Sequence, residues 1–125
     1  MKEFLLYIHQ LPQNLLGLCV VLLSKTNHDS YFDVYFTEYK FGVSLGKYII
    51  LNRYCRLNSI KHEKGHQEQS RRLGWLYLII IGLPSLTGNI YDRIAHRKWS
   101  NEQRRKWYYA QPWEAWADKL GGVER

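Results

Sequence analysis

The stretch NSIKHEKGHQEQSRRLG, residues 58–74, contains the strongest pattern in this chain. Asn58 or Ser59 can cap a helix, and the glycine that ends the stretch is a natural helix stop, so we predict one helix here. On that helix His62 and His66 stand four residues apart, which places both imidazoles on one face, one turn apart. The two rings can therefore reach a single metal ion.

The residues between the two histidines extend this pattern. Glu63 projects beside His62, where it can take a proton from metal-bound water that attacks a carbonyl. Zinc accepts neutral imidazole, and a catalytic zinc site has three protein ligands plus water. Gly65 leaves room for another segment to pack closely behind the site. H-E-x-x-H arises by chance in roughly one shuffled chain in a hundred of this composition. We therefore expect a Zn2+ site that supports hydrolysis.

The segments before this helix predict a second helix and a small sheet. Residues 3–23 indicate a helix that is interrupted or restarted at Pro12, because proline is tolerated near a helix start. Residues 24–30 are polar and loop-like. Residues 31–41 and 43–51 are rich in aromatic and β-branched side chains and predict two strands, with Gly46 as a bulge or a place of close backbone approach.

The segments after it are mainly helical. Residues 75–83 form an apolar helix or strand that Pro84 is expected to end, and the stretch up to residue 99 is mixed and basic. Ser100 begins a further helix with a capping box. Pro112 starts the last helix, which closes at Gly121. Together, these segments predict one α+β domain over residues 1–125, mainly helical with a small antiparallel sheet.

His62-Glu63-Lys64-Gly65-His66 resembles the active-site helix of the zincin metallopeptidases. In their gluzincin branch the third ligand is a glutamate on a later helix, within a Glu-x-x-x-Asp pattern. Residues 114–118, EAWAD, have that form and lie on the last predicted helix. The chain is also similar to small bacterial proteins with an HExGH helix and a terminal helix ending in Leu-Gly-Gly. The resemblance covers about residues 41–122.

The resemblance implies a minimal zincin-like domain with the activity of a zinc metallopeptidase on a peptide or protein substrate. His62, His66 and Glu114 would be the metal ligands. Asp118 would accept the far ring N–H of a ligand histidine, which fixes its tautomer. The implied general base is Glu63. An edge strand before the active helix would pair with the substrate backbone, although an ordinary sheet strand explains residues 43–51 equally well.

Two assignments stay open on the residues alone. Glu114 is also favourable in a first helical turn because of the helix dipole, and Asp92 and His96, again four apart, are rival ligands. The oxyanion-stabilising group is open as well. Among several candidates we predict Tyr109, because it lies just upstream of the Glu114 helix.

Composition permits several partners. The chain has 18 basic and 11 acidic side chains, a formal charge of +7, which favours acidic partners without choosing among them. A basic, tryptophan-containing region at residues 93–107 suits phosphate or anionic headgroups, but without a recognisable module we do not predict nucleic-acid binding. Cys19 and Cys55 form no metal-binding pattern, and Cys19 is expected in the core.

The two apolar segments, residues 4–23 and 75–86, are too interrupted or too short for a convincing membrane span, which needs about 20 residues. We expect core elements in a cytoplasmic protein, with association with a membrane surface as the alternative. A non-enzymatic basic protein that docks on membrane or nucleic acid is the rival to the metallopeptidase. A zincin fold without activity is a third reading, against which Glu63 argues.

Overall fold

The computed structural model describes residues 2–125, which form six α-helices and one four-stranded sheet. The helices are α1 Lys2–His9, α2 Leu11–Leu23, α3 Leu57–Leu73, α4 Leu83–Ala95, α5 Asn101–Ala110 and α6 Pro112–Gly121. The strands are β1 Asn27–Asp29, β2 Val34–Thr37, β3 Gly42–Leu45 and β4 Tyr48–Asn52. The mainly helical α+β class is confirmed.

The sheet is mixed, with the strand order β1-β2-β4-β3. β1 pairs antiparallel with β2, and β3 with β4, but β2 and β4 are parallel. The prediction of a purely antiparallel sheet is therefore wrong. The reason lies at Gly46, whose φ of +64° allows a tight turn inside the expected single strand 43–51. The chain reverses there, and β4 rather than β3 comes to lie beside β2.

The other predicted strand is shorter than expected. Within residues 31–41 only Val34–Thr37 is strand, because Asp33 adopts a left-handed turn conformation with φ of +55°. That turn joins β2 to β1, which lies in the segment 24–30 that we expected to be a loop. A three-residue strand of polar residues carries no hydrophobic alternation, so the sequence gives no signal for it.

The N-terminal helices restart near Pro12 as predicted, but they are not core. α1 has no buried residue, and the buried residues of α2 are Gln13, Asn14 and Gly17. The Gln13 amide donates to Ser70 Oγ at 2.9 Å and to the Gly74 carbonyl at 2.8 Å. Because hydrogen bonds anchor the polar side of α2 to the end of α3, four of its six leucines and Cys19 are left exposed.

Helical structure continues through the segment that Pro84 was expected to end. A 3-10 turn, Gly74–Leu76, and a π-helical segment, Leu78–Gly82, lead directly into α4. Pro84 lies in the first turn of α4, where its missing N–H is tolerated. The wider π turn ends with the Leu83 N–H bonded to the Leu78 carbonyl. The capping box at Ser100 and the helix start at Pro112 are confirmed.

The apolar core is small and lies between the sheet and α3. It contains Val34, Ile49, Leu51 and Ile60, all almost fully buried. α3 then packs against α6 on its other side. Between residues 2 and 125, no single helix is long and apolar enough to cross a bilayer. Two consecutive pairs reach that length and hydropathy together, but they bend by 88° and 119°.

Candidate metal centre

Two helices bring three potential ligands together. His62 and His66 lie one turn apart on α3, and Glu114 lies in the first turn of α6. All three are buried, with exposures of 4%, 5% and 0%. A carboxylate at zero exposure is rare unless it is paired or coordinates a metal. The buried Glu114 therefore needs the two imidazoles, or what they hold, as its partner.

Two glycines allow the helices to approach this closely. A Cβ on Gly65 would lie 1.8 Å from the Ala117 carbonyl oxygen, and one on Gly121 would lie 1.9 Å from the Lys61 carbonyl oxygen. Neither position tolerates a side chain without moving a backbone. Positions 114, 117, 118 and 121 share one face of α6, so this close crossing also aims Glu114 and Asp118 at the histidines.

The ligand atoms have the separations that a small ion requires. Glu114 Oε2 lies 3.1 Å from His66 Nε2 and 3.7 Å from His62 Nε2. One ligand atom from each of the three residues lies within 4.8 Å of the others. Around a tetrahedral zinc, ligand atoms stand about 3.3 Å apart. Beyond these two contacts with the imidazoles, Oε2 has no hydrogen-bond partner among residues 2–125, so an ion between the two rings would also meet this oxygen.

The opposite nitrogen of each imidazole is held by a buried acceptor. His62 Nδ1 donates to Asp118 Oδ1 at 2.6 Å, and His66 Nδ1 donates to Gln69 Oε1 at 2.7 Å. The Gln69 amide in turn donates to the Trp113 carbonyl at 2.9 Å, which fixes its orientation. With protons held on Nδ1, both rings turn Nε2 toward Glu114, and in its neutral form each ring could offer that nitrogen to a metal.

Asp118 makes the histidine contact that the resemblance implies, and it also binds Arg125. The Arg125 guanidinium donates to Asp118 Oδ2 at 2.6 Å and lies 3.4 Å from the centre of the Tyr109 ring. Tyr109 in turn packs edge-on against His62, with ring centres 5.0 Å apart. Arg125 thereby covers one side of the site.

Glu63 lies beside the histidines with one carboxylate oxygen free. Its side chain is 9% exposed, and Oε2 has no partner in the part of the chain that the structure describes. Burial raises the pKa of Glu63, although the neighbouring histidines oppose the rise. An upward shift of the pKa makes the carboxylate a stronger base, which is the direction that proton abstraction requires.

Charges within the cluster are strongly coupled. Burial disfavours the charged form of His66, but the hydrogen bond to Glu114 and the charges of Glu63 and Glu114 outweigh it and raise the pKa of His66 to about 9. Burial alone would raise the pKa of Glu114, but the bonds to His62 and His66 hold this pKa well below the usual range. Without a metal, a proton on His66 neutralises Glu114; a cation at the same place would replace that proton.

Two cavities meet at Glu63. One, of about 430 Å³, also contacts His66 and Glu114 and has a largely apolar wall, which includes β3 and leucines from α2, the π segment and α4. The other, of about 530 Å³, contacts His62 and Tyr109 and has a more polar wall. Gly42, Asn89 and Tyr108 line both. A substrate that spans the two cavities would pass directly over Glu63.

Several residues around Glu114 were not predicted. Ser85 Oγ donates to Glu114 Oε1 at 2.9 Å and lies 3.1 Å from the Tyr108 hydroxyl. Burial raises the pKa of Tyr108, which keeps that hydroxyl protonated. Ser85, Gln69 and Arg125 belong to no motif, so only the folded arrangement identifies them. The choice of Tyr109 as oxyanion group stays a prediction, with Tyr108 placed nearer to Glu114.

The rival ligands Asp92 and His96 form a separate structural cluster. His96 Nδ1 donates to Asp92 Oδ1 at 2.9 Å, and Arg104 Nε donates to Asp92 Oδ2 at 3.0 Å. The His96 ring stacks on Trp99 with centres 3.7 Å apart. These contacts hold α4 to the start of α5. The third position beside the α3 histidines is occupied by Glu114 instead.

No protein-family model, curated protein or solved structure matches this chain.

Proposed function

We propose that this chain is a zinc-dependent hydrolase that cleaves peptide bonds. The observation that carries the proposal is the convergence of two imidazole Nε2 atoms on one oxygen of the buried Glu114 carboxylate, beside Glu63, whose Oε2 has no hydrogen-bond partner among the described residues. A structural zinc site closes all four positions with protein ligands and needs no such base. Three ligands next to a base and a cavity favour catalysis.

In this proposal His62, His66 and Glu114 hold the zinc. The ion, when bound, supplies a Lewis acid and makes a nearby water more acidic. Glu63 accepts a proton from the attacking water while the oxygen of that water bonds to the substrate carbonyl carbon. Glu63 then returns that proton to the leaving nitrogen as the C–N bond breaks, so the protons balance. The Tyr109 or Tyr108 hydroxyl donates a hydrogen bond to the developing oxyanion.

The main chain of β3 is the proposed peptide-pairing edge. β3 is an outer strand of the sheet, and residues 42–45 line the cavity that contains Glu63 and His66. Its Ser44 carbonyl already accepts a hydrogen bond from the Tyr77 hydroxyl at 3.0 Å. Pairing is therefore expected at the Gly42 end, where an extended substrate would add a short strand.

The first prediction tests the base. Glu63→Gln keeps the shape of the side chain but cannot accept the proton, so we expect hydrolysis to fall about a hundredfold to ten-thousandfold while zinc stays bound at one per chain. The measurement combines elemental analysis with mass spectrometry of a mixed peptide library. Glu68→Gln, on the same helix but bonded to Arg71 and Arg72 at the surface, is the matched control.

Retention of wild-type hydrolysis by Glu63→Gln would falsify the assigned base. Absence of zinc from wild type and both variants, after purification with zinc present, would contradict the metal centre itself.

A further inference from the structure

The apolar side chains of two helical segments point away from the protein interior. We define the apolar face as the exposed apolar residues of segments 2–23 and 74–95, among them Phe4, Leu16, Leu76, Ile79, Leu83 and Ile90. In α2 the burial pattern is the reverse of that in a helix facing water. Its buried residues are Gln13, Asn14 and Gly17, while four of its leucines are 49–80% exposed. Such a surface needs an apolar environment.

The two segments form one continuous face. The Trp75 indole donates to the Ile8 carbonyl at 2.9 Å, and the His9 ring is bonded to the Arg71 carbonyl at 3.0 Å. These contacts join the corner between α1 and α2 to the end of α3. Each segment belongs to a bent pair of helices with the hydropathy of a membrane span. Bends of 88° and 119° suit helices that lie within a bilayer surface.

The exposed charges of residues 74–99 are all positive, whereas α1 carries the exposed Lys2 and Glu3 side by side. Between residues 74 and 99 the one acidic residue is Asp92, and it is buried and bonded to Arg104. Arg93, Arg97 and Lys98 are exposed in the same stretch. Trp75 and Tyr91 are also exposed, and such side chains favour the headgroup level of a bilayer. Anionic lipid headgroups match this positive border, and exposed tryptophan and tyrosine beside exposed apolar side chains match the boundary between headgroups and lipid tails.

The smaller cavity opens onto this face. Leu16, Leu83 and Leu86 line the 430 Å³ cavity and are themselves 49–59% exposed. The same side chains therefore form both the cavity mouth and the surrounding surface. From that mouth the cavity reaches His66, Glu63 and Glu114.

We propose that the apolar face docks on the surface of an anionic phospholipid bilayer, with the cavity mouth facing the lipid. Docking itself does not depend on the proposed hydrolysis. The class of substrate rests on the proposed hydrolysis. This substrate is an apolar stretch of polypeptide held at the bilayer surface, which enters the cavity past Leu16 and Leu83 without first crossing water.

Flotation with lipid vesicles tests the docking. We expect the wild-type chain to bind vesicles of equimolar phosphatidylcholine and phosphatidylglycerol more tightly than vesicles of phosphatidylcholine alone. Leu76→Gln and Ile79→Gln should each lower the partition coefficient about tenfold, because each removes one apolar side chain that docking would bury in the bilayer. Arg93→Gln should lower it about fivefold on the anionic vesicles only.

Leu57→Gln is the matched control. Leu57 and Leu76 are both 55% exposed, but Leu57 begins α3, about 24 Å from its other end. Vesicle binding by this variant should equal that of wild type. Circular dichroism and zinc content verify that each variant is folded.

Docking and hydrolysis can fail separately. Vesicle binding by both wild type and Glu63→Gln without any hydrolysis would retain the bilayer surface and reject the proposed enzyme. Hydrolysis without vesicle binding would reject the bilayer surface. An equal loss of vesicle binding in Leu57→Gln and Leu76→Gln would also overturn the docking proposal. So would a dimer that forms without lipid and does not bind vesicles, because a second copy of the chain would then cover the apolar face.

Discussion

Asp118 and Asp92 make the same set of contacts at different places. Each carboxylate is 8% exposed, accepts a hydrogen bond from a histidine Nδ1 and pairs with an arginine. The difference lies on the far side of the imidazole. His62 Nε2 faces Glu114 in the cluster, whereas the His96 ring is stacked on Trp99. This pair separates the proposed role of Asp118 in metal binding from the role of Asp92 in packing.

Asp118→Asn is therefore expected to weaken zinc binding. The variant loses the charge that supports the ligand His62, and changes of this kind cost about tenfold to a hundredfold in metal affinity. Competition with a chromogenic chelator measures the affinity. Asp92→Asn should leave it unchanged, and a larger loss in Asp92→Asn than in Asp118→Asn would move the site to the rival cluster.

At the residue scale, the sequence predicts the site residues that share a short motif. It does not predict the residues that only the folded chain brings to the site. His62, Glu63 and His66 follow from helical periodicity within one turn and a half of α3. Ser85 lies 29 positions before Glu114 and carries no local pattern, yet its hydroxyl bonds the Glu114 carboxylate. Contacts of that separation depend on the path of the chain and leave no short motif.

Among the elements, the crossing of α3 and α6 decides whether a site exists. Gly65 and Gly121 bring the two backbones together, and each glycine lies where the other helix leaves no volume for a methyl group. The sequence predicts a close neighbour for Gly65 because it is small and lies beside His66. It does not say that the neighbour is the Ala117 carbonyl.

Gly65→Ala is expected to lower the free energy of unfolding by about 2–3 kcal/mol, because the added Cβ overlaps the α6 backbone and overpacking costs this much. Zinc affinity should fall with it. The control is Gly88→Ala in α4, where the new Cβ would lie 3.8 Å from Trp113 and in ordinary contact. That variant should gain up to about 1 kcal/mol from helix propensity. Chemical denaturation measures both, and equal effects of the two substitutions would disprove the close crossing.

For the whole molecule, the buried charge pair predicts how stability depends on pH. The pKa of His66 is raised from 6.5 to about 9 in the folded chain. His66 therefore contributes about 3 kcal/mol to the free energy of unfolding below pH 6.5. This contribution is lost as the pH rises through about 9. The Glu114 pKa is lowered, so its contribution is lost only in acid.

Thermal melting in a chelator should thus show the metal-free protein losing stability between pH 6.5 and 9. Glu114→Gln should flatten this slope, since Glu114 holds the proton on His66. Zinc requires the unprotonated ring, so zinc affinity should instead increase over the same range. A metal-free protein whose melting temperature rises from pH 6.5 to 9 would contradict the pairing.

The sequence by itself determined the helix that carries His62, Glu63 and His66, the α+β class, and the positions where α5 and α6 begin. Each of these depends on interactions within a few residues: one helical turn, a capping box, a proline in a first turn. Tertiary structure alone decided the direction of β4, the exposure of the apolar N-terminal helices, and the place of Glu114 between the two imidazoles. Those features depend on which distant surfaces pack together, and hydrogen bonds from buried polar residues such as Gln13 can outweigh local hydrophobicity in that choice.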